Sequence, residues 1–153
     1  MAVVKAHRFA ASAHWHGESI MTARAKGKPT LDVAEPPEFK GGIEGVWSPE
    51  ELLVSSAASC LAITIAAVAD ARGAELREID VDGVGQVERV PGKGFRFLVI
   101  ELTVEVEAEG EHPHVVQGIV EEAERRCIVR AALDVPVKVR LVVATAAGVA
   151  LSG

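Results

Sequence analysis

Two thiols are the groups in this chain best suited to covalent chemistry. Cys60 stands within SPEELLVSSAASCLAITIAAVADARG, residues 48–73, and Cys127 within EEAERRCIVR, residues 121–130. A thiolate is both a nucleophile and an oxidisable centre, and two thiols that meet can close a disulfide. Cys60 has no charge near it in sequence, whereas Arg125, Arg126 and Arg130 flank Cys127, and positive charge lowers a thiol pKa. By residue type alone, Cys60 reads rather as a small hydrophobe in a core, and Cys127 reads as well that way as any other.

Glu50 is the third candidate. Ser48, Pro49 and Glu51 read as the N-cap, first residue and capping-box partner of a helix. Glu50 is left with no structural job beyond a favourable charge at a helix start. Ten residues of helix place it roughly 15 Å from Cys60. The two cannot touch within one straight helix, so a shared site needs Glu50 from a second chain or a bridging cation.

His14 with His16 and His112 with His114 form two H-x-H pairs, but no further ligand falls at a metal-binding spacing. No metal or cofactor is expected. The glycine-rich KGKP and PGKG lack a phosphate-loop pattern, and no nucleophile elbow is present. A net charge of −6, no tyrosine and four phenylalanines argue against a nucleic-acid partner. The N-terminus lacks the apolar core and cleavage pattern of a secretory signal, so a cytoplasmic, reducing compartment is expected. Residues 52–69 are long and apolar enough to suggest a membrane span. Their Ser55, Ser56, Ser59 and Thr64 and many alanines make insertion poor, and no membrane partner is expected.

The elements that must position these groups follow from pattern. Residues 3–16 read as a strand stopped at Gly17, with 18–24 returning as its hairpin partner. Residues 23–29 are a basic loop, and 30–34 a short strand ended by Pro36 and Pro37. FKGGIEGVW is a flexible connection into the central helix, which Gly73 closes. LREIDVDGVGQVERV and FRFLVIELTVEVEAEG are strands joined by the PGKG turn. In the second, Leu102, Val104 and Val106 alternate with Glu101, Thr103, Glu105 and Glu107. Val116, Ile119, Val120, Ala123 and Cys127 recur at helical spacing on an amphipathic second helix. VPVKVRLVV is a last strand, and residues 144–153 a weakly specified tail.

That order implies a single α+β domain over residues 1–153 with mostly antiparallel sheet. The central helix is apolar on every side and must be covered on every side. One small sheet and one other helix leave part of it bare, which points to an intertwined homodimer. Trp15 and Trp47 are expected to fill core or interface.

G-x-x-S-P-E-E-L-L followed by S-S-A-A-S-C, then E-x-A-E-R-R-C-I-V, resembles the two cysteine-bearing helices of the OsmC/Ohr family. These are the osmotically inducible and organic-hydroperoxide-resistance proteins. AHWHG at residues 13–17 is similar to the N-terminal strand of the OsmC branch, and the likeness runs from about His7 to Val143. The resemblance implies an OsmC-like fold, with antiparallel sheets around a long buried central helix and a second amphipathic helix. It also implies an intertwined homodimer with two active sites at the interface. It implies a thiol peroxidase that reduces organic hydroperoxides to alcohols, with Cys60 the peroxidatic and Cys127 the resolving cysteine, passing through a Cys60 sulfenic acid and a Cys60–Cys127 disulfide. Glu50 would hold an arginine that activates Cys60. Arg24 is the first choice, Arg8 the second, and Lys40 stands where another branch carries a basic residue. A lipoyl-type dithiol or small thiol is the implied reductant. Ile128 stands where many members have proline. The alternative is a non-catalytic dimer of the same fold that binds a small apolar or thiol-reactive ligand in the same cleft. A guanidinium at Cys60 would discriminate the two.

Overall fold

A computed structural model describes residues 5–145 and 148–152. The chain forms two compact units, one ending at Leu52 and the other beginning at Leu53.

The first unit holds a three-stranded antiparallel sheet of β1 (Ser12–Trp15), β2 (Ile20–Arg24) and β3 (Leu31–Ala34). Gly17, with φ 93°, allows the reversal between β1 and β2. β1 is much shorter than the expected strand over residues 3–16. Val3 and Val4 lie outside the described residues, and residues 5–11 are exposed and not in a strand. The reason is register. Arg24, the last residue of β2, lies opposite Ser12, so earlier residues have no ladder partner. Arg24 thus closes the returning strand, as the reading of residues 18–24 has it, and the basic loop begins only at Ala25. Trp15 is 62% exposed and Trp47 46% exposed, so neither fills a core of this chain. Trp15 donates its indole N–H to the Glu18 carbonyl at 2.6 Å, and the Trp47 carbonyl accepts from Ala34 N–H at 2.9 Å.

Helix α1 (Pro49–Arg72) begins in the first unit and continues through the second. Its start is the expected capping box. Ser48 N–H donates to Glu51 Oε2 at 2.9 Å, and Glu51 N–H donates to Ser48 Oγ at 3.2 Å. Its end is a Schellman closure: Gly73, φ 68°, donates to the Asp70 carbonyl and Ala74 to the Ala69 carbonyl, each at 3.0 Å.

The second unit is built on a four-stranded sheet in the order β4 (Leu76–Val90), β5 (Gly94–Ala108), β6 (Val137–Thr145), β7 (Gly148–Ser152). β4 and β5 form the expected hairpin. Pro91 and Gly92 (φ 74°) occupy the centre of its turn, and Lys93 N–H donates to the Val90 carbonyl at 3.0 Å. Helices α2 (Pro113–Arg126) and α3 (Ile128–Ala132) cross from β5 to β6, which makes that pair parallel, while the others are antiparallel. The expected tail is largely sheet. Ala144 and Thr145 belong to β6, and β7 pairs along it; Ala146, Ala147 and Gly153 lie outside the described residues. An unpaired β6 edge leaves backbone groups open, and GVALS supplies a strand to satisfy them.

The alternation on β5 holds. Ile100, Leu102, Val104, Val106 and Ala108 are buried while Glu101, Glu105 and Glu107 are exposed. The inner face, with Leu141 and Val143 of β6, packs with Leu61, Ile65 and Val68 of α1 and Val116, Ile119 and Val120 of α2. Each such side chain contributes about 1.5–3 kcal/mol by leaving water. Helix α1 meets β4 at a notch. A Cβ added to Gly83 would lie 2.6 Å from Val54 Cγ1, and one added to Gly85 would lie 2.8 Å from Val54 Cγ2.

Burial of α1 on every side is not achieved by one chain. Ala57, Ala58, Leu61, Ile65, Val68 and Ala69 are buried, whereas Ser59, Ala66, Ala67 and Asp70 are exposed and Ile63 is 71% exposed.

Candidate thiol site

Cys60 lies half-buried in the middle of α1. One turn later, the Thr64 hydroxyl donates to the Cys60 carbonyl at 2.7 Å, which sets Thr64 beside the thiol on the same helix face. Cys127 is only 1% exposed, as expected of a residue on the apolar stripe of the second helix. Its backbone is not helical, however. α2 ends at Arg126, Cys127 is extended (φ −65°, ψ 111°), and α3 starts again at Ile128. This break turns the first N–H groups of α3 toward Cys60.

The two thiols lie close enough for each to shift the other's titration. Burial pushes the Cys60 thiol up. The polar groups beside it, Val129 N–H, the Cys127 thiol, Ile128 N–H and the Thr64 hydroxyl, outweigh that, and its pKa is lowered. At Cys127, burial again pushes upward. Arg130 N–H pulls the other way, but donating to Cys60 and facing its charge carry the Cys127 pKa above the ordinary value. Cys60 is therefore the more acidic of the two thiols.

This reverses the electrostatics expected from the arginines beside Cys127. Arg125 and Arg126 are exposed, and Arg126 pairs with Glu122 at 2.5 Å. Arg130 spends its guanidinium on Glu124 at 3.4 Å. The Glu124 carboxyl is pushed up by burial and pulled back by that guanidinium, with burial prevailing. The groups that lower the Cys60 pKa are two backbone amides, a thiol and a hydroxyl; no guanidinium contributes among the described residues.

Of the expected site residues, Cys60 and Cys127 are brought together. Glu50 lies in the first turn of α1, ten residues from Cys60 on an unbroken helix, so the separation of about 15 Å stands. Its Oε2 is buried without a hydrogen-bond partner among the described residues. Arg24 is exposed at the end of β2, opposite Ser12; Arg8 precedes β1 and Lys40 lies between β3 and α1, both exposed. Thr64 was readable from its four-residue spacing to Cys60. The amides of Ile128 and Val129 carry no residue-type signal and were not. His112 Nδ1 accepts from His114 N–H at 3.2 Å, capping α2, and His14 and His16 meet edge to face at 4.5 Å. No group of three or more potential metal ligands occurs among the described residues.

Comparison with known proteins gives a consistent result. The profile of the OsmC-like protein family matches residues 42–142. The chain is 24% identical over 139 residues to the uncharacterized protein YmaD of Bacillus subtilis, covering 88% of this chain and 92% of that one. An OsmC-like protein of unknown function from Vibrio cholerae superposes with a TM-score of 0.81 at 14% identity, covering 89% of this chain and 99% of that one. An organic hydroperoxide resistance protein OsmC from Legionella pneumophila, also described as a predicted redox protein, superposes with a TM-score of 0.72 at 26% identity. That match covers 92% of this chain and 99% of the other.

Proposed function

The chain belongs to the OsmC/Ohr family, and from that premise we propose that it is a thiol-dependent peroxidase that reduces organic hydroperoxides to alcohols. The observation that carries this reading is the pairing of Cys60 with Cys127, neighbouring thiols whose pKa values are pushed in opposite directions. A peroxidatic cysteine must be a thiolate, and its resolving partner must be a thiol close by.

In this mechanism the Cys60 thiolate attacks the distal oxygen of R–O–OH and the O–O bond breaks. The alkoxide leaves, takes a proton and departs as the alcohol, and Cys60 becomes a sulfenic acid. Cys127 sulfur then attacks Cys60 sulfur; its proton and the sulfenic hydroxyl leave as water, and a disulfide closes. A dithiol, lipoyl-type or a pair of small thiols, gives up two electrons and two protons to restore both cysteines. A reducing, cytoplasmic compartment suits that cycle.

Two features support a homodimer in which the site is completed. The bare face of α1 around Ile63 needs an apolar cover, and the buried Glu50 Oε2, unpartnered among the described residues, needs a donor. Glu50 and one basic residue, Arg24 first, with Arg8 and Lys40 the other choices, would then serve the site across subunits. The preference for organic over hydrogen peroxide rests on the apolar residues around Cys60 on α1.

The test is direct. Reduced protein given one equivalent of cumene hydroperoxide should lose two hydrogen masses per chain and release cumyl alcohol, and Cys60→Ser should abolish both. Free thiols that survive a modest excess would overturn the peroxidase reading and favour the non-catalytic binder.

A further inference from the structure

We infer that Arg130 is the positioning residue of the thiol site: its side chain braces the α2–α3 corner so that Cys127 and the Ile128 and Val129 amides face Cys60. This deepens the reading of Cys60 and Cys127 as a redox pair and rests on it.

The argument starts from how little else holds α3. The helix has five residues, none of them buried, and its N-cap Cys127 makes no side-chain capping bond. Five residues are too few for a helix to persist on backbone bonds alone. Val129 is half-buried against the core, and Ile128 is 79% exposed. Arg130 supplies the missing anchorage. Its Nη1 donates to the Glu124 carbonyl at 3.4 Å, and its Nη2 donates to the Val137 carbonyl at 3.5 Å while lying 3.4 Å from Glu124 Oε2. One guanidinium thereby joins the last turns of α2 to the first residue of β6, spanning the corner from both sides. Its planar fork suits this, since several donors leave one rigid group in fixed directions. Arg130 is also the third residue after Cys127, on the short helix whose first two residues are Ile128 and Val129. The corner that Arg130 closes is thus the one that carries the resolving thiol and both amides aimed at Cys60.

The experiment compares the full-length wild type with Arg130→Met, Arg130→Lys and Glu124→Gln. The first readout is closure of the Cys60–Cys127 disulfide by diamide, which accepts two electrons and two protons from the thiols. The second is the pH midpoint of Cys60 alkylation by iodoacetamide. Arg130→Met should slow closure about tenfold, because ångström-scale misplacement of reacting groups can cost a hundredfold, and should move the Cys60 midpoint upward. Arg130→Lys keeps the charge without the fork, so it should lie between wild type and Arg130→Met; Glu124→Gln keeps the carbonyl acceptor and should be milder still. If Arg130→Met does not fold, the graded pair of Arg130→Lys and Glu124→Gln decides. Wild-type closure and an unmoved midpoint in the folded variants would overturn the inference. Because diamide replaces the peroxide, a wild type that closes with diamide but ignores hydroperoxide would sink the peroxidase reading and leave the role of Arg130 intact.

Discussion

Substituting Gly83 tests how α1, and with it Cys60, is registered on the sheet. The alanine Cβ of Gly83→Ala would stand 2.6 Å from Val54 Cγ1 and 3.1 Å from Leu102 Cδ2, below any normal carbon contact for the first. Leu102 can yield at the end of a flexible chain. Val54 cannot readily do so, because a β-branched residue in a helix has essentially one χ1 rotamer. Overpacking of this kind costs about 1–3 kcal/mol. Replacing glycine in a strand recovers about 0.5–1 kcal/mol, leaving a net loss of about 1–2 kcal/mol. For a chain of this size that is a fall in Tm of about 3–6 °C. The informative measurement is a double-mutant cycle with Val54→Ala by urea denaturation at one protein concentration. Val54→Ala alone should destabilise by about 1–2 kcal/mol through lost methyl burial. In that background Gly83→Ala should be neutral or stabilising, giving a coupling of about 1–3 kcal/mol. Additive losses would refute the notch as the feature that seats the helix.

Two further outcomes follow from the same structure. Cys60 should alkylate at lower pH than Cys127, and Cys127→Ala should move the Cys60 midpoint up by removing a thiol donor; coincident midpoints would contradict the split. The sign for stability follows: the depressed Cys60 pKa gives a contribution present above its unfolded value and lost as pH falls through the folded one, whereas the raised Cys127 pKa gives one present below its unfolded value and lost as pH rises through the folded one. Ser48→Ala should cost about 0.5–2 kcal/mol in urea denaturation, since it strips the cap from the Glu51 N–H at a residue only 1% exposed; no measurable loss would mean that water replaces the hydroxyl.

Local chemistry was readable where a residue's own type dictates its backbone or its face. Ser48, Pro49 and Glu51 announce a helix start, and Gly73 its end, because capping is decided within one turn. Leu102, Val104 and Val106 declare a half-buried strand because side chains alternate across a sheet. The family motif placed Cys60 within the central helix, but Cys127, expected on the second helix, falls in the break just after it. What failed was whatever depended on a distant partner. The N-terminal strand stops where β2 runs out of residues to pair, and the closing tail becomes β7 because β6 has an open edge.

The site divides the same way. Sequence alone established that two thiols exist, one on a helix with a strong cap and one on an amphipathic stripe. It could not establish which of them is the acid, and the arginines beside Cys127 pointed the wrong way. The extended backbone at Cys127 brings two amides and a thiol near Cys60, and these favour the lower pKa there. A pKa responds to dipoles and burial within a few ångströms in space, and residues adjacent in the chain can spend their charge elsewhere, as Arg126 and Arg130 do on Glu122 and Glu124.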